Sequence, residues 1–319
     1  PLDYDLPRYI PEMGQTRDEG YFIKTRFGIG LPGDDLLDAR VDLMSKLGIG
    51  LGSDFSYQDS IMKGTLKMYG LFGSQPTSTV NLQHNQRLGH GFLSLLGDFS
   101  NRNYLTSPNN SYLNTRSVYN TPFLSGQTRI AFNHSSNSAP SFHTQQQNFQ
   151  LNDSRNWRGG LRTVFDFNLS SYESRSGSFS QERKVLDVNA RATQRFSSLD
   201  ADLAYQRTIP ISEIVNFFST TDQTPLLSLR TDMRRLFGQK QGSGFNLLTE
   251  VTVGELIDSV RRKPIGRTTM EVILPQQSIN YGRSTLNIAG RFKQGLYSDD
   301  TAQFVIGTDS NYSYRINKD

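Results

Sequence analysis

Between residues 36 and 58 apolar and polar positions alternate. Leu37, Ala39, Val41 and Leu43 are separated by Asp38, Arg40 and Asp42, and the beat resumes at Ile49, Leu51, Ser53, Phe55 and Tyr57. A period of two sends successive side chains to opposite faces, so each run predicts a strand with one greasy and one wet side. A short turn centred near Lys46 then sets Leu43 opposite Ile49, Val41 opposite Leu51, Ala39 opposite Ser53 and Leu37 opposite Phe55. The other face carries Asp38, Arg40 and Asp42 against Gly50, Gly52 and Asp54. One hairpin alone leaves open whether its greasy face meets a protein core or lipid.

The pattern recurs along the chain. Strands are predicted near 21–30, 36–44, 49–57, 61–72, 77–87, 92–102, 112–123, 128–135, 142–152, 159–170, 183–194, 199–207, 225–236, 244–253, 267–275, 283–295 and 302–315. Leu199, Ala201, Leu203 and Tyr205 interleave with Asp200, Asp202, Ala204 and Gln206. Leu286, Ile288 and Phe292 alternate with Asn287, Arg291 and Lys293. Gly-, Ser- and Asn-rich turns separate the runs. Loops after the odd strands of this series read as short, and those after the even strands as long at 171–182, 208–224 and 254–266. Short turns at one rim and long loops at the other is how outer-membrane barrels are built. Ile209 to Phe218, with Pro210 near a start and Ile211, Ile214, Val215 and Phe218 at helical spacing, predicts a short helix inside one long loop.

Composition narrows the class. The 319 residues include no cysteine, which removes disulfides and thiolate metal sites. A net charge of +4 spread along the chain gives no nucleic-acid footprint. Uninterrupted apolar runs, such as Val272 to Leu274, fall far short of the ~18 residues a transmembrane helix needs. Barrel strands cross with alternate apolar residues only, so the low mean hydropathy does not count against a membrane barrel. A soluble sandwich usually stops at about seven to nine strands, and no linker divides this chain in two. The non-greasy face is rich in Gly, Ser, Asn and Gln as well as charge, which suits a hydrated lumen. Trp157 and the aromatics near strand ends, Tyr21, Phe55, Tyr57, Phe72, Tyr104, Tyr112, Phe123, Tyr205 and Tyr297, fit interfacial girdles. The expected fold is all-β: a large antiparallel up-and-down transmembrane β-barrel of about 16–18 strands, with a Pro-rich entry over residues 1–19 and the barrel over 20–319. The chain starts at Pro1 without a signal peptide and reads as a mature or excised segment.

Several stretches resemble the barrel of the LPS-assembly outer-membrane protein family, LptD or organic solvent tolerance protein. They are DLMSKLGIGLGSDFSYQ (42–58), GDFSNRNYLTSPNNSYLNTRSVYN (97–120), TPLLSLRTDMRRLFG (224–238) and RTTMEVILPQQSINYGRSTLNIAGRFKQGLYSDD (267–300), with the entry PLDYDLPRYIP. The resemblance implies a bacterial outer-membrane protein that inserts lipopolysaccharide into the outer leaflet. Its partners would be lipopolysaccharide, outer-membrane lipids, a periplasmic LPS-bridge protein and a plug lipoprotein. The chain departs from that family in lacking a preceding jelly-roll, cysteines and some strands. It ends RINKD where barrels finish on an aromatic residue, so a partial barrel with a C-terminal portion missing is expected. The competing readings are a passive porin or channel and a soluble or surface glycan-binding β-protein.

No catalytic constellation is evident, and no cofactor or metal is expected. His84, His90, His134 and His143 lack ligand spacing. Asp34, Asp35, Asp299 and Asp300 read as solvated turns before cation ligands. Gly48, Gly50 and Gly52 continue a strand rather than open a helix, so they read as small residues admitting a close neighbour, backbone or luminal plug. Arg234, Arg235, Arg261, Arg262, Lys263 and Arg267 are candidates for lipid-phosphate contact, because guanidinium forks bind phosphate oxygens bidentately. The loop parity puts Arg261, Arg262 and Lys263 at the outer rim. Asp38, Arg40, Asp42, Asp200 and Asp202 are candidates for lining the lumen.

Overall fold

The computed structural model describes residues 11–31, 35–104, 107–212, 222–238, 246–257 and 264–315. Its strands are β1 (Glu12–Thr16), β2 (Gly20–Gly30), β3 (Leu36–Met44), β4 (Gly48–Gln58), β5 (Met62–Gly73), β6 (Thr77–Leu88), β7 (Gly91–Tyr104), β8 (Ser107–Phe123) and β9 (Gly126–Ala139). They continue as β10 (Phe142–Asn156), β11 (Leu161–Ser176), β12 (Phe179–Arg195), β13 (Asp200–Pro210), β14 (Asp222–Asp232), β15 (Leu248–Ile257), β16 (Pro264–Tyr281), β17 (Ser284–Tyr297) and β18 (Ala302–Tyr314). The one α-helical turn among the described residues is α1 (Met233–Phe237). All seventeen predicted strands are present. β1 is additional: its sequence EMGQT has no alternation to announce it.

The chain forms two compact units. The first is Pro1–Asn152, Phe167–Leu186 and Pro210–Ile214; the second is Asp153–Asp166, Asp187–Ile209 and Val215–Asp319. In the first, β1 to β9 pair antiparallel with their neighbours in sequence; in the second, β13 to β18 do the same. This is the up-and-down meander of the antiparallel β-barrel class. The β3/β4 register is the one the alternation dictates: Leu37 faces Phe55, Ala39 Ser53, Val41 Leu51 and Leu43 Ile49.

The loop-length asymmetry is not observed. Where a dozen-residue loop was expected at 171–182, β11 and β12 run through it and leave only Gly177 and Ser178 between them. Gly177 takes φ +57°, the left-handed conformation that two-residue hairpin turns require and that glycine adopts without strain. The long connections, 211–221 and 233–247, follow consecutive strands β13 and β14 and therefore leave from opposite strand ends. Residues 276–281 belong to β16. Of the expected helix over 209–218, Ile209 and Pro210 end β13, and residues 213–218 lie outside the described residues.

The two faces differ as predicted. Leu43, Ile49 and Leu51 are about half exposed, as are Met68 and Phe72 on the same face of β5. Among the described residues, nothing covers this side. Buried apolar residues in the first unit are few, and Phe22, Met44 and Leu71 cluster on the opposite, charge-bearing face with Leu47 and Tyr69. A sheet whose large apolar side chains are this exposed, and whose few buried apolar residues sit on the charge-bearing face, is inside out relative to a water-soluble sandwich.

Candidate functional site

The apolar face has a measurable height. Phe72 lies at the level of Ile49, eight residues from Tyr57. That is about 26 Å along the strand, or about 20 Å along the membrane normal at the usual tilt of about 40°, close to the apolar band of a membrane barrel. At the upper level Tyr57 stacks on Phe55, with ring centroids 5.5 Å apart. It reaches across Gly64 of β5 to share a 2.5 Å hydrogen bond with Nδ1 of His84 on β6, and His84 Nε2 lies 3.3 Å from Gln86 Oε1. An apolar ring with a satisfied polar tip suits the interface between hydrocarbon and water. Tyr112 and Tyr297, expected in girdles, fall instead in register with polar-face positions, opposite Ser100 and Arg267.

On the polar face of the first unit the Gly50 and Gly52 positions acquire a reason. Tyr69 of β5 lies across both glycines, and its hydroxyl donates to Asp42 Oδ2 of β3 at 3.0 Å. A Cβ on Gly50 would collide with the Tyr69 ring and hydroxyl. The close neighbour of these glycines is thus a side chain of the sheet itself. Arg40 Nη2 sits 2.8 Å from Asp42 Oδ2, and the Arg40 guanidinium carbon lies 5.2 Å from the Tyr69 ring centroid. The Asp42 side chain is wholly buried while Arg40 is 40% exposed, so the carboxylate depends on these two donors for its solvation. Asp38 faces Gly28 on one side and Asp54 on the other.

The polar face of the second unit carries a row of charges laid out by register. Asp200 opposes Arg230, Arg230 opposes Glu250, Glu250 opposes Glu271, and Glu271 opposes Lys293. Arg230 pairs with Glu250 at 3.0 Å. Glu271 takes Arg291 at 2.6 Å and Lys293 at 3.6 Å, which offsets the repulsion of two glutamates side by side. Arg191 forks onto both oxygens of Asp202 at 2.7 and 2.8 Å, and Thr193 Oγ1 adds a third donor at 2.8 Å. A polar concavity of about 460 Å³ is lined by Arg191, Asp202, Arg230, Glu250, Glu271 and Lys293, and one of about 410 Å³ adjoins it along β16, β17 and β18. Of this set, sequence reasoning named Asp200 and Asp202 as candidates and placed Arg291 and Lys293 on the polar side of their strand without making them candidates. The strand parity of Arg230, Glu250 and Glu271 carried the missing signal.

The basic candidates are dispersed. Arg235, in α1, forks onto Asp200 at 2.9 and 3.0 Å and also donates to the carbonyls of Phe196 and Ser197. Its own amide is capped by Asp232. It braces α1 against the β12–β13 turn and has its donors engaged within the protein. Arg234 lies beside it with a buried Nε that has no hydrogen-bond partner. Arg267 is on the polar face of β16, in register with Gly254 and Tyr297. Arg261, Arg262 and Lys263 lie outside the described residues, as does Asp34. Among the described residues no three His, Asp or Glu side chains converge as a metal site.

An up-and-down antiparallel meander, an exposed apolar face of membrane height with a Tyr at its margin, and an opposite face of paired charges define a transmembrane β-barrel of the bacterial outer membrane. No family model matches the sequence and no curated protein matches it. The solved structures it is similar to include OccK10 (OpdN) of Pseudomonas aeruginosa, at 12% identity over 97% of this chain and 96% of that one with a TM-score of 0.25. OccAB3 of Acinetobacter baumannii matches at 12% identity over 92% of both chains with a TM-score of 0.29. A BenF-like porin from Pseudomonas fluorescens Pf-5 matches at 9% identity over 96% of this chain and 95% of that one with a TM-score of 0.32. Likenesses this remote transfer no residue roles.

The comparisons correct the LPS-assembly resemblance. The similar structures are Occ, Opd and BenF-like porins and not LptD barrels, so insertion of lipopolysaccharide is withdrawn as this chain's function. The lipopolysaccharide, LPS-bridge and plug-lipoprotein partners implied by that resemblance go with it. The physical reason is that the likeness rested on alternating strands and short turns, which every barrel in this membrane must have.

Proposed function

We propose that the chain is a passive outer-membrane channel for small hydrophilic solutes, and not an enzyme. The observation that carries this reading is the charged row from Asp200 to Lys293, with its polar concavities, on the face opposite the exposed apolar one. Paired charges at this density are costly in hydrocarbon and sustainable beside water, so this face borders an aqueous interior. In this reading Asp38, Arg40, Asp200 and Asp202 line that interior, and Asp42 lies on the same face, buried beneath Arg40 and Tyr69. Passage then needs no bond chemistry, only a hydrated path whose charges are held in place by their partners.

The purified chain, reconstituted in a planar lipid bilayer, is expected to give discrete conductance steps proportional to bulk salt conductivity. Inserted, protease-protected protein that leaves the bilayer electrically silent would overturn the reading.

A further inference from the structure

The polar face of the first unit changes character from strand to strand. One register row runs from Asp54 to Lys67 and on to Asn81, Asp98, Asn114 and Ser135, so formal charge gives way to amide and hydroxyl. The rows on either side follow suit: β6 adds Gln83 and Asn85, and β9 adds Asn133 and Asn137. At polar-face positions within 79–85, 94–100, 112–118 and 131–137 the charged residues are Asp98 and Arg116 alone. Their charges are opposite and they sit diagonally across β7 and β8, while the Asp98 carboxylate accepts from the Asn81 amide. In the second unit, by contrast, the row from Asp200 to Lys293 is charged at every position. Two apolar groups break the amide surface. Tyr112 opposes Ser100 and Asn137 and is 42% exposed; Leu96 opposes Gln83 and Arg116 and is 39% exposed. They lie on neighbouring strands about 14 Å apart, with room between them for a short chain of sugar rings.

An amide donates through its NH2 and accepts through its carbonyl, which is what a hydroxyl group needs from a partner; a carboxylate only accepts and an ammonium only donates. A charged solute would give up water here and meet only an opposed pair of charges. A sugar exchanges water for amides at its hydroxyls and lays the C–H side of its ring on an aromatic face. From this arrangement we infer that the polar face of β6 to β9 is a binding track for neutral saccharides, with the Tyr112 ring as its platform and Gln83, Asn133 and Asn137 as hydroxyl partners. The inference rests on the channel reading above and names the class of solute that the channel favours.

The test is the ion current of the reconstituted channel in potassium chloride with maltose added to one side, compared with glycerol at the same osmolality. Maltose should attenuate the current and the block should saturate, whereas glycerol should produce no saturable block. Maltobionate, the same disaccharide oxidised to a carboxylate, should block less well than maltose. Tyr112→Ala should raise the half-blocking concentration of maltose about fivefold, the size of one aromatic contact, and Tyr112→Phe, which keeps the ring, should stay within about twofold of the parent protein. Asn137→Ala tests the track at a second position and should also weaken the block. A conducting channel that maltose blocks no more than glycerol does, that maltobionate blocks better, or whose block neither Tyr112→Ala nor Asn137→Ala changes, overturns this inference alone. A chain that inserts without conducting overturns the channel reading as well.

Discussion

Asp42 is a carboxylate with no access to solvent, held by a guanidinium two residues away on its own strand and by a phenol two strands away. Tyr69→Phe removes one donor and should lower unfolding stability by about 1.5 to 3 kcal/mol, the range for a hydrogen bond to a charged group. Gly50→Ala should also destabilise, because its methyl occupies the space of the Tyr69 ring. Arg40→Ala should cost more than Asp42→Asn: the first strands a buried charge, whereas the second frees a guanidinium that water already reaches. Denaturant midpoints of the four variants in detergent check the order, and an Asp42→Asn protein less stable than Arg40→Ala would contradict it. Parity alone put Asp42, Gly50 and Gly52 on one face. What the sequence obscured was the reach of Tyr69, although a large ring in register with a glycine, as Tyr69 is with Gly52, is a readable sign of such a crossing.

At the level of elements, strands were legible wherever hydrocarbon enforces alternation and illegible where it does not. β11 and β12 extend through SYESRSGSF, whose polar residues prolong the backbone ladder without any apolar beat. Hence the pattern reads their hairpin as a loop, and the expected difference between rims fails there and again at the long 233–247 connection after β14. α1 was hidden for a different reason: it is five residues long and depends on contacts, chiefly Asp232 as N-cap and Arg235 against Asp200. Arg235→Ala should release α1, seen as faster proteolytic cleavage at 233–238 with the strands intact. Arg235→Lys should rescue poorly, since an ammonium cannot reproduce the fork onto Asp200 together with the Phe196 and Ser197 carbonyls. Equal cleavage rates in all three proteins would remove this role for Arg235.

For the whole molecule, the same physics that makes the fold readable makes the family hard to read. Any sheet placed between lipid and water must put apolar residues on one side, polar residues on the other and turns at the rims. Stretches such as DLMSKLGIGLGSDFSYQ therefore report the environment of the strand before they report ancestry, which is why a likeness built on them pointed to the wrong barrel. What does distinguish one barrel from another is the polar face, where Arg230, Glu250, Glu271 and Lys293 are joined only by the register of four strands spanning more than sixty residues of sequence. Pairing information of that range is not contained in any local pattern.

The claim on which all of this depends is that odd and even positions of a strand meet different solvents. Because the chain has no cysteine, it can be tested one position at a time. Single cysteines placed along β17 in membrane-inserted protein should react with a charged, water-soluble thiol reagent at Asn287, Arg291 and Lys293 and stay unreactive at Leu286, Ile288 and Phe292. Labelling that ignores this period of two, or that runs in the opposite phase, would contradict the account.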